Sequence, residues 1–270
     1  MLLIWDLNCW LFALNTSFSK NLYVLYLGGS VNLRVRLVLV GVEGEINLGL
    51  AIRTAKNFGV EEVFLVSPKV RIDDEEVIRF SSHARDLLGR VSIVDSLNEA
   101  LENVEVSACT SARISDRDVL RIPLSPRRFA EIAKLYSRVA VVFGRESTGL
   151  TREELRMCDV LVHIPANPEY PVLNLSQSIA VVLYELWIAS RTTNIVEGLR
   201  PVEGVQIKAI RKLVEELVLA VYNDRGKLEQ IVPAITHILV RGPAAKAEAA
   251  QLYHLLKRIK MVIDRCDCYS

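Results

Sequence analysis

Neither of the common phosphate-binding loops, GxGxxG or GxxxxGK[ST], occurs in the 270 residues of this chain, so neither a dinucleotide fingerprint nor a P-loop is available to it. Its five cysteines (Cys9, Cys109, Cys158, Cys266, Cys268) form no CxxC pair and no ligand set with the four histidines. That absence removes the usual zinc arrangements and predicts free thiols, with no metal and no structural disulfide. No uninterrupted apolar run reaches the about 18 residues that a membrane span requires, because Asn8, Asn15, Thr16 and Lys20 break the greasiest stretch. Charge of one sign is also lacking: 33 basic and 32 acidic residues give a net charge of +1. A uniformly basic nucleic-acid coat is therefore excluded, while a local patch is not.

What is present describes a globular protein, with 51% hydrophobic residues and a mean hydropathy of +0.25. The apolar character is concentrated at the start: residues 1–30 hold six of the eighteen aromatics and two charges, Asp6 and Lys20. They lack the cationic start and small-residue cleavage site of a secretory signal. From residue 35 onward, β-branched runs alternate with helical stretches. Strands are predicted at 35–42, 63–66, 91–94, 104–109, 139–143 and 160–164, with helices at 48–58 and 173–189. This alternation predicts an α/β fold with an open, mostly parallel sheet, whose ligands bind beyond the carboxyl ends of the strands. The stretch Arg191 to Gly204 reads as a linker. Beyond it only helical spacing recurs: Leu213, Leu217 and Val221; Ile231, Ile235 and Ile238; Leu252, Leu255 and Ile259. From Leu199 onward 12 basic residues face 8 acidic ones, a local +4, with Lys257, Arg258 and Lys260 as a patch for an acidic partner or as a solvated helix face.

Three of the predicted strand ends carry unusual loops. The first reads Gly41-Val42-Glu43-Gly44-Glu45-Ile46-Asn47-Leu48-Gly49 and leads to Arg53. Asn47 suits a helix cap and Gly49 a close backbone approach, while Arg53 is either a surface residue or a bidentate phosphate ligand. The second is Gly144-Arg145-Glu146-Ser147-Thr148-Gly149-Leu150, followed by a capping box at Thr151 and Glu154. The third runs from Ile164 through Asn167, Leu173 and Asn174 to Ser176 and Gln177. Each loop taken singly is a tight turn; their convergence at one sheet edge is better explained by a site.

The ordered set of Asn47, Gly49 and Arg53, then Phe143 to Leu150, then Ile164 to Ser178 resembles the three motifs of the SpoU branch of the SPOUT methyltransferases. The segment Thr110-Ser111-Ala112-Arg113 and the NPEYPVLNLSQ form of the third motif are most similar to the TrmJ subfamily of tRNA 2'-O-methyltransferases. The resemblance covers about residues 34–190. It implies a Rossmann-like parallel sheet with a trefoil knot, a small C-terminal helical appendage and a cytoplasmic homodimer formed through the knotted region. The implied division is a leader at 1–32, a methyltransferase domain at 33–192, a linker at 193–204 and a helical domain at 205–270 that contacts tRNA. The leader lies outside the resemblance and is expected to be foreign to the natural protein, with translation starting at Val31.

The resemblance further implies S-adenosylmethionine as cofactor, held by Thr110, Ser111, Ala112, Gly144, Arg145, Glu146, Ile164, Asn167 and Leu173. It makes Arg53, Ser176 and Asn174 the catalytic set, with Asn47 and Arg113 at the RNA. Arg145 is a second candidate for RNA contact, and Arg127 and Arg128 start a helix and are equally well plain surface. Glu146 orients the loop backbone or Asn47, or is a turn residue. The implied reaction methylates a cytidine or uridine ribose at anticodon-loop position 32; a ribosomal RNA methyltransferase of the same family and a non-catalytic knotted RNA-binding protein are the alternatives. A guanidinium keeps its proton below a pH of about 12. Arg53 is therefore expected to clamp the neighbouring phosphate and stabilise developing alkoxide charge rather than act as a free base.

Overall fold

The computed structural model of the chain describes residues 33–191, 202–222, 224–242 and 246–266. The elements begin with β1 (Arg34–Val40), α1 (Glu45–Asn57), β2 (Glu62–Val66), α2 (Glu75–Ser81), α3 (Arg85–Leu88), β3 (Val91–Val94), α4 (Leu97–Ala100) and β4 (Val106–Thr110). A 3-10 turn at Ser82–Ala84 joins α2 to α3, and a second at Val119–Arg121 leads to β5 (Pro123–Leu124), then α5 (Pro126–Ala133), β6 (Arg138–Phe143), α6 (Arg152–Met157), β7 (Val160–Val162) and α7 (Leu175–Arg191). The tail consists of α8 (Gly204–Tyr222), α9 (Arg225–Arg241) and α10 (Lys246–Cys266).

The strands form one parallel sheet in the order β3-β2-β1-β6-β4-β7-β5. β1 sits inside it, between β2 and β6, and Leu37 to Val40 are almost fully buried, as a continuous apolar run covered on both faces requires. The edge strand β5 has no signal in the sequence, because two residues are too few to carry a period. α1 buries Leu48, Ala51, Ile52 and Ala55 at helical spacing. A Cβ on Gly49 would stand 2.7 Å from Phe80 Cβ and 2.8 Å from the Val77 carbonyl oxygen, so the glycine lets α1 and α2 pack closely. The expected start at Leu48 is corrected: α1 begins at Glu45 behind an N-cap at Gly44, and Asn47 lies inside the first turn instead of capping it. Its side chain is thereby free for other partners.

The tail shares the core of the sheet: Ile207, Ile210 and Val214 of α8 belong to the same buried cluster as Leu37 and Val160. Two of the apolar faces expected there are rotated. α8 buries Ile207, Ile210, Val214, Leu217 and Val218 and leaves Val221 exposed, and in α10 Leu255 and Ile259 are exposed. One residue of offset turns a helix face by about 100°, and sequence spacing does not say which of two apolar stripes meets the core. Lys208 donates to the Val104 carbonyl at 2.6 Å, and Arg211 faces buried Asp159 at 3.6 Å. Asp159 also accepts from the Ser107 amide and hydroxyl, both at 2.8 Å. Burial pushes the Asp159 carboxyl above its usual range, against the pull of Arg211 and Ser107.

The expectation of free thiols is corrected at Cys109 and Cys158, which form a disulfide with a Cα–Cα distance of 5.6 Å. The two are 49 residues apart in sequence, and only the pairing of β7 beside β4 brings the end of α6 against Cys109. Among the described residues no group of His, Cys, Asp and Glu is placed to hold a metal, and no helix is long and apolar enough to cross a membrane. The leader at 1–32 and most of the linker lie outside the described residues.

Candidate active site

The strand order makes the site. After β3 the chain crosses to the far side of β1, and β6 later fills the gap between β1 and β4. The segments that leave β1, β4, β6 and β7 therefore emerge side by side at one edge, although up to about 130 residues separate them.

Glu146, in the loop after β6, reaches into the loop after β1. One of its carboxylate oxygens accepts from the Glu43 amide at 3.0 Å; the other accepts from the Gly44 amide at 3.2 Å and from Asn47 Nδ2 at 3.0 Å. Asn47 Oδ1 accepts in turn from Asn174 Nδ2 at 2.9 Å. Asn174 Oδ1 takes the Ser176 hydroxyl at 2.7 Å and the Ser176 amide at 2.9 Å. The three motifs are thus joined by one directed chain, Glu146 to Asn47 to Asn174 to Ser176. Each amide can face only one way within it, since the ionised carboxylate accepts and fixes the Asn47 flip. Gly144 is required by the turn itself: a Cβ there would lie 2.3 Å from the Gly149 carbonyl carbon.

Other expected site residues fall around this chain in different states. Thr110 donates its hydroxyl to the Val142 carbonyl at 3.0 Å, and the Ser111 amide donates to the Val162 carbonyl at 3.1 Å, so the exit of β4 is laced to β6 and β7. Ala112 is exposed, and Ile164 and Leu173 are half-buried at the same edge. Asn167 closes a turn, accepting from the Glu169 amide through its side chain and from the Tyr170 amide through its carbonyl. Arg145, a candidate for cofactor and RNA, is committed elsewhere: its guanidinium forms a two-bond fork with Glu154, both at 3.0 Å. Arg113 is exposed and its guanidinium has no partner among the described residues. Arg127 pairs with Glu185 and Arg128 with Glu131.

The structure does not bring Arg53 into the hydrogen-bonded chain. Six residues beyond Asn47 on α1, it stands about 120° round the helix and ~9 Å along it, exposed and without a partner among the described residues. It shares its face with Ile46, seven residues earlier and 41% exposed. Sequence reasoning missed Glu43, which accepts from Lys69 Nζ at 2.6 Å and from the Ser147 amide at 3.1 Å. Those bonds, the lysine first, hold its carboxyl well below the usual carboxylate range. The signal that could have revealed it is the acidic residue between two glycines of the first loop.

A family model described as the SpoU rRNA Methylase family matches residues 34–184. The tRNA (cytidine-2'-O-)-methyltransferase TrmJ of Sulfolobus acidocaldarius is 35% identical over 228 residues, which cover 83% of this chain and 93% of the relative. The tRNA (cytidine/uridine/adenosine-2'-O-)-methyltransferase TrmJ of Pseudomonas aeruginosa is 41% identical over 165 residues, 58% of this chain and 63% of that one. Among solved structures, a methylase family protein from Haemophilus influenzae superposes with a TM-score of 0.58 at 30% identity, covering 86% of this chain and 98% of its own.

Proposed function

The chain belongs to the SpoU rRNA Methylase family, and from that premise we propose that it transfers a methyl group from S-adenosylmethionine to a ribose 2'-hydroxyl of tRNA, at cytidine or uridine 32 of the anticodon loop. The observation that carries the reading is the Glu146–Asn47–Asn174–Ser176 chain, which ties three remote motifs into one polar cluster at the ligand edge of the sheet. The surroundings suit the cofactor: half-buried Ile164 and Leu173 offer apolar walls for an adenine, and the exits of β4, β6 and β7 offer backbone groups. S-Adenosylmethionine supplies an electrophilic methyl group when bound. Thr110, Ser111, Ala112, Gly144, Arg145, Glu146, Ile164, Asn167 and Leu173 surround it in this reading, with Arg145 acting through Glu154.

An alcohol is a weak nucleophile near neutral pH, so the chain must orient the 2'-hydroxyl and stabilise its developing charge. Ser176 and Asn174 position the reacting groups, Asn47 being held for that purpose by Glu146. Arg53 holds the phosphate beside the target ribose and lowers the energy of the incipient alkoxide, and Arg113 binds RNA backbone. Because Arg53 faces away from its own chain's cluster, its use calls for a homodimer. Val181, Tyr184 and Ile188 of α7 expose an apolar stripe (38%, 52% and 44%), and Tyr184 packs edge-on against Phe58 just beyond α1. A second copy seated on this face, through the knotted region, would bring Arg53 to the partner's cluster.

The deciding experiment is incubation with methyl-labelled S-adenosylmethionine and total tRNA, followed by nucleoside analysis and mapping of the label. Label on the ribose of nucleotide 32 is expected. Label on a base, on the ribose of another nucleotide only, or none overturns the reading. Arg53→Lys is expected to lower kcat/KM for tRNA by roughly 10- to 100-fold, since an ammonium cannot reproduce the bidentate fork; a full-rate variant removes the clamp.

A further inference from the structure

The helical tail reaches the loop after β4 through a network of arginines. Arg152, the first residue of α6, holds Asp118 with two bonds, Nη1 at 2.6 Å and Nη2 at 3.3 Å, and its Nε donates to Glu229 of α9 at 3.2 Å. The second Glu229 oxygen takes Arg156 Nη1 at 2.6 Å. Glu229 therefore bridges two arginines of α6, and Arg152 bridges two carboxylates that are far apart in sequence. All four side chains are between a quarter and two-fifths exposed, so the network is neither a solvated surface pair nor a desolvated core pair.

Asp118 carries the network on towards the loop after β4. It caps the 3-10 turn, accepting from the Leu120 amide at 3.2 Å, and its carbonyl takes the Arg121 amide at 2.7 Å. Arg121 Nη1 then donates to the Arg113 carbonyl at 3.3 Å and to the Ser111 hydroxyl at 3.5 Å. The path from α9 to the loop after β4 is thus Glu229, Arg152, Asp118, Arg121, Ser111. A second strut runs beside it, where Arg241 of α9 donates to the Ile122 carbonyl. On its other side α6 holds the loop after β6, through Glu154 and Arg145. Two of the loops at the ligand edge are braced by α6, and α6 is braced by the tail.

We propose that Glu229, Arg152 and Asp118 are positioning residues for the cofactor, so that the helical tail sets the shape of the S-adenosylmethionine site as well as any contact it makes with RNA. The proposal rests on the methyltransferase reading above and goes beyond it by giving the tail a role that operates in the absence of RNA. None of the three touches the cofactor; they act by holding the 111–121 loop in the conformation that Ser111 requires.

The test is isothermal titration of the full chain with S-adenosylmethionine and no RNA, for the native protein, Glu229→Ala, Asp118→Ala and the double variant. Each single variant is expected to raise Kd roughly tenfold, in the range of couplings carried between sites. The double variant should be little worse than either, because both act through Arg152. In steady state the KM for S-adenosylmethionine should rise while kcat and the KM for tRNA hold within about twofold, a split that general destabilisation would not give. Glu229→Gln, which keeps an acceptor for Arg152, should recover part of the affinity and serves if Glu229→Ala fails to fold. Unchanged Kd in Glu229→Ala with weakened tRNA binding, or strictly additive effects, overturns the inference alone. A native chain that does not bind S-adenosylmethionine overturns it together with the proposed function.

Discussion

Glu146 accepts hydrogen bonds from the Glu43 amide, the Gly44 amide and Asn47, and no neighbouring side chain can replace all three. Bonds to an ionised acceptor are the stronger kind, and their loss frees the Asn47 amide to flip. Glu146→Ala is expected to lower methyl transfer by about 100-fold, as misplacement of a positioned group does, with Glu146→Gln less affected; a single-turnover assay checks both. His237 shows a different side of burial. It is 5% exposed, its Nδ1 has no partner among the described residues, and burial, reinforced by Arg241 and Arg211, pushes the imidazole down from 6.5 to about 4. The unfolded chain binds this proton near pH 6.5 and the folded chain near pH 4. The stabilising contribution is therefore whole above pH 6.5 and is lost as pH falls through that window, up to about 3 kcal/mol. Thermal midpoints at pH 7 and pH 4.5 should differ less in His237→Leu than in the native chain; equal differences would remove the assignment.

At the level of elements, the disulfide joins the end of β4, two residues before Ser111, to the end of α6. Its closed loop of 49 residues stabilises the fold by about 4 kcal/mol in the chain-entropy description. Cys158→Ala should lower the thermal midpoint and make it insensitive to reductant, whereas the native midpoint should drop when dithiothreitol is added. Such a staple could not be read from the sequence, because two cysteines inside apolar segments look like any buried thiols until strand order places them. The capping box at Thr151 and Glu154 could be read, since all its atoms lie within one turn. Its glutamate also forks with Arg145, a contact that belongs to the loop after β6 and not to the helix.

For the whole molecule, Val181, Tyr184 and Ile188 expose an apolar stripe on α7, and the proposed use of Arg53 by a second copy makes that face the interface to test. Tyr184→Asp, placing a charge in that face, is expected to give monomers in sedimentation equilibrium at micromolar concentration and to lower methyl transfer at least tenfold. A native chain that is itself monomeric under those conditions would remove the dimer.

The sequence by itself determined the parallel α/β plan, the loops that matter and the family, because each of these is written in contiguous residues: β-branched runs, glycine-bounded turns, a capping box. Even there the helix start slipped by three residues, since Asn47 looks like a cap and is used as a relay. Only the tertiary structure decided that β6 enters between β1 and β4, and this one insertion brings Glu146 to Asn47, 99 residues away, and Asn47 to Asn174, 127 residues away. It likewise decided that Arg53 faces outward, that Arg145 is spent on Glu154 and that α9 reaches the loop after β4 through Arg152. Local propensity acts over a turn or a strand, whereas hydrogen-bond partners and burial depend on which strands lie side by side, and no short stretch of residues encodes that.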